Sequence, residues 1–443
     1  MTFPPLLLRD RSLLLILGLA LIVRFAAAFV FDPPMISDDR DYHAIALSLL
    51  NGGGFSLDGN LTAYRLPGYP LFLTAIYTAA GVSPLPVRLC QALLDVLSCF
   101  MVFLLGRRLL GERPARIAAA LYAVFPLCIL YVTTLMSETV FTALLLLFLL
   151  LLPDRPEQRG RLVWAGIAAG CAVLFRTTAL ILPLAVAVIP GLSGRSLPSR
   201  VRPLVLIAGT MALVILPWLA RNEAVFGRFS LTSNAGVNFW MGNHHAASGS
   251  YSFPPVNPLA DITDDFERSD LGFRLGRAFW LEEPEHGLFV TAKKFAHLFA
   301  VDYWMIMVQR ATPDWHPTAR AVDTYRHFPV GWLASVQLPV MLIILLALPG
   351  FFLLPSGQRP EWSSLMLVSL LWIGAHLVIY GGARYRVPLH PLFILAAVQG
   401  WLLLTHRTFV LSRPRLVLVS VVTLILLAGW SMESWILFFG GSF

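Results

Sequence analysis

Apolar residues run through this chain in long blocks, and polar residues are confined to the gaps between them. Leu13–Leu21, Leu144–Leu152 and Val340–Leu348 contain no polar side chain. With their flanks, such blocks reach the roughly 18–20 residues that a helix needs to cross a bilayer. The pattern predicts spans near 13–31, 87–106, 116–133, 135–152, 162–175, 178–192, 203–220, 330–354, 363–380, 388–405 and 415–438. The fold class expected is an all-α polytopic membrane protein of about 11 transmembrane helices. No internal repeat or heptad pattern interrupts it.

Composition agrees. The chain has 443 residues, 57% hydrophobic and 13% charged, against roughly 25% charge in soluble domains. The net charge of +8 comes almost wholly from arginine, since Lys293 and Lys294 are the only lysines. A basic chain can bind nucleic acid, but these arginines sit in short gaps between apolar blocks. That is the positive-inside pattern, so no nucleic-acid partner is expected. The basic gaps hold Arg107, Arg108, Arg113 and Arg116; Arg155, Arg159 and Arg161; Arg195, Arg200 and Arg202; Arg407, Arg413 and Arg415; and, more weakly, Arg359. They are expected on the cytoplasmic side of an inner (plasma) membrane, with the N-terminus. Arg9 and Arg11 ahead of Leu13–Phe31 resemble a signal peptide, but Arg24 interrupts the apolar region, so an uncleaved first helix is expected. Cys90, Cys99, Cys128 and Cys171 lie inside apolar segments without metal spacing and read as inert thiols.

The remaining gaps then face the periplasm. They are 32–86, the turn at Met136–Glu138, the turn at Arg176–Thr178, the long stretch 221–329, and Gly381–Val387. The apolar piece 67–81 is short. A full crossing there would switch the side of every later basic gap, so a re-entrant or surface helix is expected. The eleven spans then leave the C-terminus outside. The domain organisation expected is one membrane domain over 1–443, with a first periplasmic loop at 32–86 and a large one at 221–329. The first loop holds an amphipathic stretch, Tyr42–Leu50, stopped by Asn51-Gly52-Gly53-Gly54.

Charged residues gather where these outward gaps meet the membrane, and charge so near hydrocarbon is costly and tends to be functional. Asp38, Asp39 and Asp41 follow the first span, and Tyr64-Arg65 closes the first loop. Glu138, Arg176, Arg221 and Arg384-Tyr385-Arg386 mark other turns. Arginine forks bind phosphate bidentately and stay charged, while a carboxylate can deprotonate a hydroxyl. Together they suit group transfer from a lipid phosphate. Plainer uses exist for each residue. Asp38 and Asp39 could cap the helix over Tyr42–Leu50, Glu138 could cap a turn, and Arg384 and Arg386 could snorkel to the interface. Arg24 and Asp95, both inside spans, suggest a pair. His244 and His245 are adjacent and point apart, which disfavours a metal site. Asn60-Leu61-Thr62 matches a glycosylation acceptor, a pattern that chance often supplies.

At these residues the chain resembles the C-type glycosyltransferase superfamily, most of all the protein O-mannosyltransferases and the lipid A aminoarabinose transferases. Four stretches carry the resemblance: Ser37-Asp38-Asp39-Arg40-Asp41-Tyr42-His43 through Asn51-Gly52; Arg65-Leu66-Pro67-Gly68-Tyr69-Pro70; Pro217-Trp218 through Arg221-Asn222, Gly227 and Gly242-Asn243; and Arg384-Tyr385-Arg386-Val387-Pro388-Leu389-His390-Pro391. The resemblance implies many transmembrane helices, with surface helices in the first loop. It also implies transfer with inversion from a polyprenyl-phosphate-linked sugar donor. The family's catalytic aspartate lies four residues before the motif tyrosine, which carries the base role to Asp38, with Asp39 second. Asp41 stands where the family has Arg.

The function expected is an inverting glycosyltransferase that moves a sugar to a lipid, glycan or protein acceptor of the cell envelope, at the periplasmic face. Asp38 and Asp39 are the catalytic candidates. Arg384, Arg386, Arg65 and Arg176 are the donor-phosphate ligands. Tyr42, Tyr64, Glu138, Arg221, Asn243 and Tyr385 line the substrate pocket. Membrane lipids are further partners. No nucleotide or obligatory metal is called for, although the Asp38-Asp39 pair leaves a divalent ion open. The competing expectation is a lipid or glycan transporter or flippase, for which repeated halves and broken midplane helices are the usual marks. A lipid phosphatase or ligase would need a nucleophile, and only His244, His245 and His390 offer one.

Overall fold

The computed structural model describes residues 10–153, 155, 157–188, 197–254, 256–309, 330–355, 359–407, 409 and 412–439. It is nearly all helix. In chain order come α1 (Arg11–Val30), α2 (Asp38–Leu50), α3 (Gly68–Ala80), α4 (Pro84–Leu110), α5 (Glu112–Ala123), α6 (Pro126–Thr133), α7 (Glu138–Leu151) and α8 (Arg159–Phe175). A 3-10 helix, Thr177–Val188, leads towards α9 (Leu197–Phe226). The large loop then supplies α10 (Ala235–Met241), α11 (Asp265–Glu282), α12 (Pro284–Phe299) and α13 (Tyr303–Val308). The helices Val330–Phe352, Arg359–Val378, His390–His406 and Arg413–Phe439 complete the chain, with a second 3-10 helix, Ala383–Leu389, before His390. Among the described residues the only strands are β1 (Ser56–Leu57) and β2 (Asn60–Leu61), an antiparallel hairpin in the first loop.

Each predicted span corresponds to helix, and the chain is a multi-pass membrane protein. Six helices are long and apolar enough to cross a membrane, or seven if α5 and α6, bent by 47°, count as one. The expected single span over 116–133 is therefore broken at the Val124-Phe125-Pro126 step, where proline removes a helical donor. The expected span 178–192 is 3-10 over the residues described, and its end, like Arg195 and the stretch 310–329, lies outside them. α3 has 13 residues, about 20 Å at 1.5 Å each, short of the ~30 Å apolar core. It packs on α2, α4 and α8. α9 runs on to Phe226, so the large loop begins later than the expected 221.

Buried polar groups tie the helices together. Arg24 of α1 contacts Asp95 of α4 at 2.5 Å and donates to the carbonyls of Tyr122 and Ala123, where α5 ends. The Tyr122 hydroxyl completes Asp95 at 2.6 Å. All four cysteines are free.

Candidate active site

The site forms where the ends of several helices meet. α2 begins at Asp38, α7 begins at Glu138, α8 is capped by Arg176, and the second 3-10 helix carries Arg384. Gly68 permits the approach of the first loop to α8. A Cβ there would lie 2.6 Å from the Phe175 ring and 2.7 Å from the Leu174 carbonyl, closer than any side chain tolerates. Gly381 does the same for the turn before Arg384, which lies against the Lys294 carbonyl of α12.

The charges form one network. Asp38 accepts from Arg65 at 2.7 Å and from Arg384 at 2.7 Å, through different oxygens. Arg65 also reaches Asp41 at 2.6 Å. Arg384 continues to Glu138 Oε1, the same oxygen that Arg176 approaches at 2.5 Å. Three carboxylates thus meet three guanidinium groups. Two valences stay open, Glu138 Oε2 and Arg176 Nε, both buried and without a hydrogen-bond partner. Tyr385 anchors the centre. Arg176 and Arg384 lie over its ring at 5.7 and 6.0 Å, His376 stacks on it at 4.7 Å, and its hydroxyl bonds that of Tyr380 at 2.8 Å.

A cavity of about 150 Å³ opens beside this network, lined among others by Asp38, Tyr42, Tyr64, Arg65, Arg176, Arg384 and Tyr385. Burial alone would raise the Asp38 pKa, but the charges of Arg384 and Arg65 outweigh it and hold the carboxyl well below the usual range. Its neighbour behaves oppositely. Burial pushes Asp39 up to about 6, despite the backbone N–H groups of Ser37 and Arg40 on its carboxylate.

Several expected site residues are not brought to the cavity. Asp39 turns inwards, where its Oδ1 accepts from the Ser37 and Arg40 amides. It caps the helix, because consecutive helical side chains diverge and cannot share one target. Arg386 is fully buried and donates to the carbonyls of Leu298 at 2.8 Å and Ala300 at 3.1 Å, closing the end of α12. On a 3-10 helix, with three residues per turn, Arg386 and Arg384 point in different directions, Arg386 to the end of α12 and Arg384 to the cavity. Arg221 bonds the carbonyls of Thr62 and Phe55 and packs on Trp218 at 5.0 Å, fastening α9 to the first loop. Asn243 is buried too. Its Oδ1 accepts from Lys294 and Trp280, and its amide nitrogen donates to Val378. Glu138 lies behind the cavity wall as the partner of Arg176 and Arg384.

The cavity also contains residues not singled out from sequence. Thr177 and Thr178 follow Arg176 directly, a position that marked them as neighbours of the site. His376, Tyr380, Thr232, Asn234 and Asn238 also line it. His376 belongs to an apolar helix and the last three to the large loop, where no local pattern distinguishes them. Among the described residues no group of three or more His, Cys, Asp or Glu side chains is placed to hold a metal ion.

Comparison with known proteins follows the same lines. Residues 65–220 match the family described as dolichyl-phosphate-mannose-protein mannosyltransferase, a stretch that includes Arg65, Glu138 and Arg176. No curated protein sequence matches the chain. In structure the chain is similar to the oligosaccharyltransferase of Archaeoglobus fulgidus in the apo form, with a TM-score of 0.50 at 14% identity over 95% of this chain. It spans 55% of that longer protein. It is similar also to ArnT from Cupriavidus metallidurans bound to undecaprenyl phosphate, with a TM-score of 0.44 at 17% identity over 87% of this chain and 76% of that one. The family match covers residues 65–220, and the structural likeness, at 14% identity, is one of fold.

Proposed function

We propose that the chain transfers a sugar, with inversion, from a polyprenyl-phosphate carrier to a cell-envelope acceptor at the periplasmic face of an inner membrane. The observation that carries this reading is the network at the cavity: one accessible carboxylate, Asp38, held between two arginines that a phosphate can claim. The family matched by residues 65–220 is described by a dolichyl-phosphate-mannose donor, which supports a lipid-phosphate substrate.

The chemistry follows from the charges. A carrier-linked sugar brings a phosphodiester with one negative charge. Its phosphate oxygens compete with Asp38 for Arg65 and Arg384. As those arginines turn to the phosphate, the Asp38 carboxylate loses the partners that depress its pKa and becomes a stronger base. It then takes the proton of the acceptor hydroxyl. The hydroxyl oxygen attacks the anomeric carbon while the bond from that carbon to the phosphate oxygen breaks, and the electron pair stays on the departing polyprenyl phosphate. That group gains one negative charge, which Arg65, Arg176 and Arg384 are placed to stabilise. Glu138 is a positioning residue that orients Arg176 and Arg384. No metal takes part in this scheme, because the guanidinium groups supply the cationic charge.

Position favours transfer over transport. The network pairs a carboxylate at a cavity with arginines, the two functions that transfer needs, and no repeated halves of the kind common in transporters occur in the sequence. The test uses a carrier labelled in its sugar, with purified protein in vesicles that contain envelope glycolipids. Release of label to an acceptor without movement of intact carrier across the bilayer is expected. Movement of intact carrier without release would overturn the reading.

A further inference from the structure

A second cavity, of about 440 Å³, lies behind the first and shares Tyr64 with it. The wall between them is one chain thick. The Ser233 amide donates to the Ala63 carbonyl at 3.0 Å, and the Thr232 hydroxyl to the Tyr64 carbonyl at 3.1 Å. Thr232 and Asn234 line the arginine cavity while Ser233, between them, lines the second. The Tyr64 ring feels charges on both sides, from Asp38 and Arg65 in one cavity and Asp265 in the other.

The second cavity is lined by carboxylates and by neutral polar side chains, among them Asn60, Thr62 and Thr263. Asp58, Asp264 and Asp265 contribute carboxylates. Its one cation, Arg268, is spent: Nε and one terminal nitrogen bond the Ile262 carbonyl, and the other reaches Asp265. Phe226 and Phe266, with ring centroids 5.4 Å apart, give it an apolar floor. Ser233 is 1% exposed and keeps its Oγ without a well-formed hydrogen bond at the cavity edge, beside Asp265. Carboxylates without free cations repel phosphate and carboxylate groups and accept from hydroxyl and ammonium groups. Apolar ring surface suits the C–H face of a pyranose.

We propose that this second cavity is the acceptor site and takes a saccharide unit free of anionic groups, handing one hydroxyl past Tyr64 to Asp38. The proposal rests on the glycosyltransferase reading and names the acceptor class for it. It excludes a phosphorylated sugar as the unit held there.

The test measures binding to the full-length protein in nanodiscs by saturation-transfer NMR. Undecaprenyl phosphate is present to occupy the arginine cavity. The probes are methyl β-D-glucopyranoside, D-glucosamine and D-glucose 6-phosphate. The first two should bind, and Asp265→Asn should weaken them at least fivefold. Asp58→Asn is a second variant that keeps the fold, since Asp58 has φ of 50° and asparagine accepts that conformation; it should weaken both probes at least twofold. Glucose 6-phosphate binding as tightly as the neutral probe, or binding unaffected by either cavity variant, would overturn the proposal. Undecaprenyl phosphate alone is titrated separately. If it fails to bind, or binds equally to Arg65→Ala and Arg384→Ala proteins, the donor reading fails whatever the saccharides do.

Discussion

Two buried arginine–carboxylate networks occupy this molecule, and they differ in whether anything is left to do. Around Arg24 the groups are paired off. Its guanidinium has Asp95 and three carbonyls, Asp95 has Arg24 and Tyr122, and the group is sealed between α1, α4 and α5. Around Arg384 each of two acids is shared between two arginines, two buried polar atoms lack partners, and a cavity opens beside them. Burial of charge alone therefore does not mark a site here. The Arg24 network joins helices, because charge inside a membrane must be paired to persist. The Arg384 network carries competing partners, so an incoming anion can displace one without stranding another.

Breaking the two networks should give opposite kinds of damage. The largest effect is expected from Asp95→Asn, which leaves Arg24 buried and uncompensated. Removing one partner of such a pair costs about 3–5 kcal/mol, read as a lowered unfolding temperature and poor recovery from the membrane. Unchanged thermal stability would erase the distinction. Arg384→Ala should be milder for the fold and severe for chemistry, with a transfer rate lower by about 10²–10³-fold, the scale for loss of one transition-state charge donor. Near-normal turnover in that variant would move the phosphate site elsewhere.

Arg386→Met sharpens the comparison within one 3-10 helix. It strands the Leu298 and Ala300 carbonyls, at a cost of about 1–3 kcal/mol, while the KM for the carrier stays as in the unaltered protein. A raised KM with unchanged stability would return Arg386 to the phosphate site. The mildest change is expected at Asp39. Its folded pKa of about 6 lies above the unfolded value, so the native state binds its proton more tightly. Stability from this group is full at low pH and is lost as pH rises towards 6. Asp39→Asn should flatten that slope between about pH 4 and 6 in thermal unfolding. An unchanged slope would show that another group titrates there.

Much of this was legible in the sequence, and the failures share a cause. Apolar runs located the helices of the membrane part, since membrane spans are specified by length and hydropathy. Asp38, Arg65, Arg176 and Arg384 were legible because charge at a span's end is rare enough to notice. Asp39 and Arg386 lie away from the cavity although they neighbour, in sequence, residues that line it. Direction depends on backbone geometry, the first turn of an α-helix in one case and a 3-10 helix in the other. Arg221 and Asn243 drew notice for their charge or polarity but serve to fasten loops. Thr232, Asn234 and Asn238 were invisible because their place depends on how the large loop folds back over the first.

The most direct measurement follows carrier binding and sugar transfer together in Asp38→Asn protein, with undecaprenyl phosphate affinity read by native mass spectrometry and turnover by label release. Neutralising Asp38 frees Arg65 and Arg384 from a competitor while removing the base. The account predicts affinity equal to or tighter than that of the unaltered protein, with turnover lower by about 10²–10⁴-fold, the usual worth of a general base. Retained turnover, or loss of carrier binding, would contradict it.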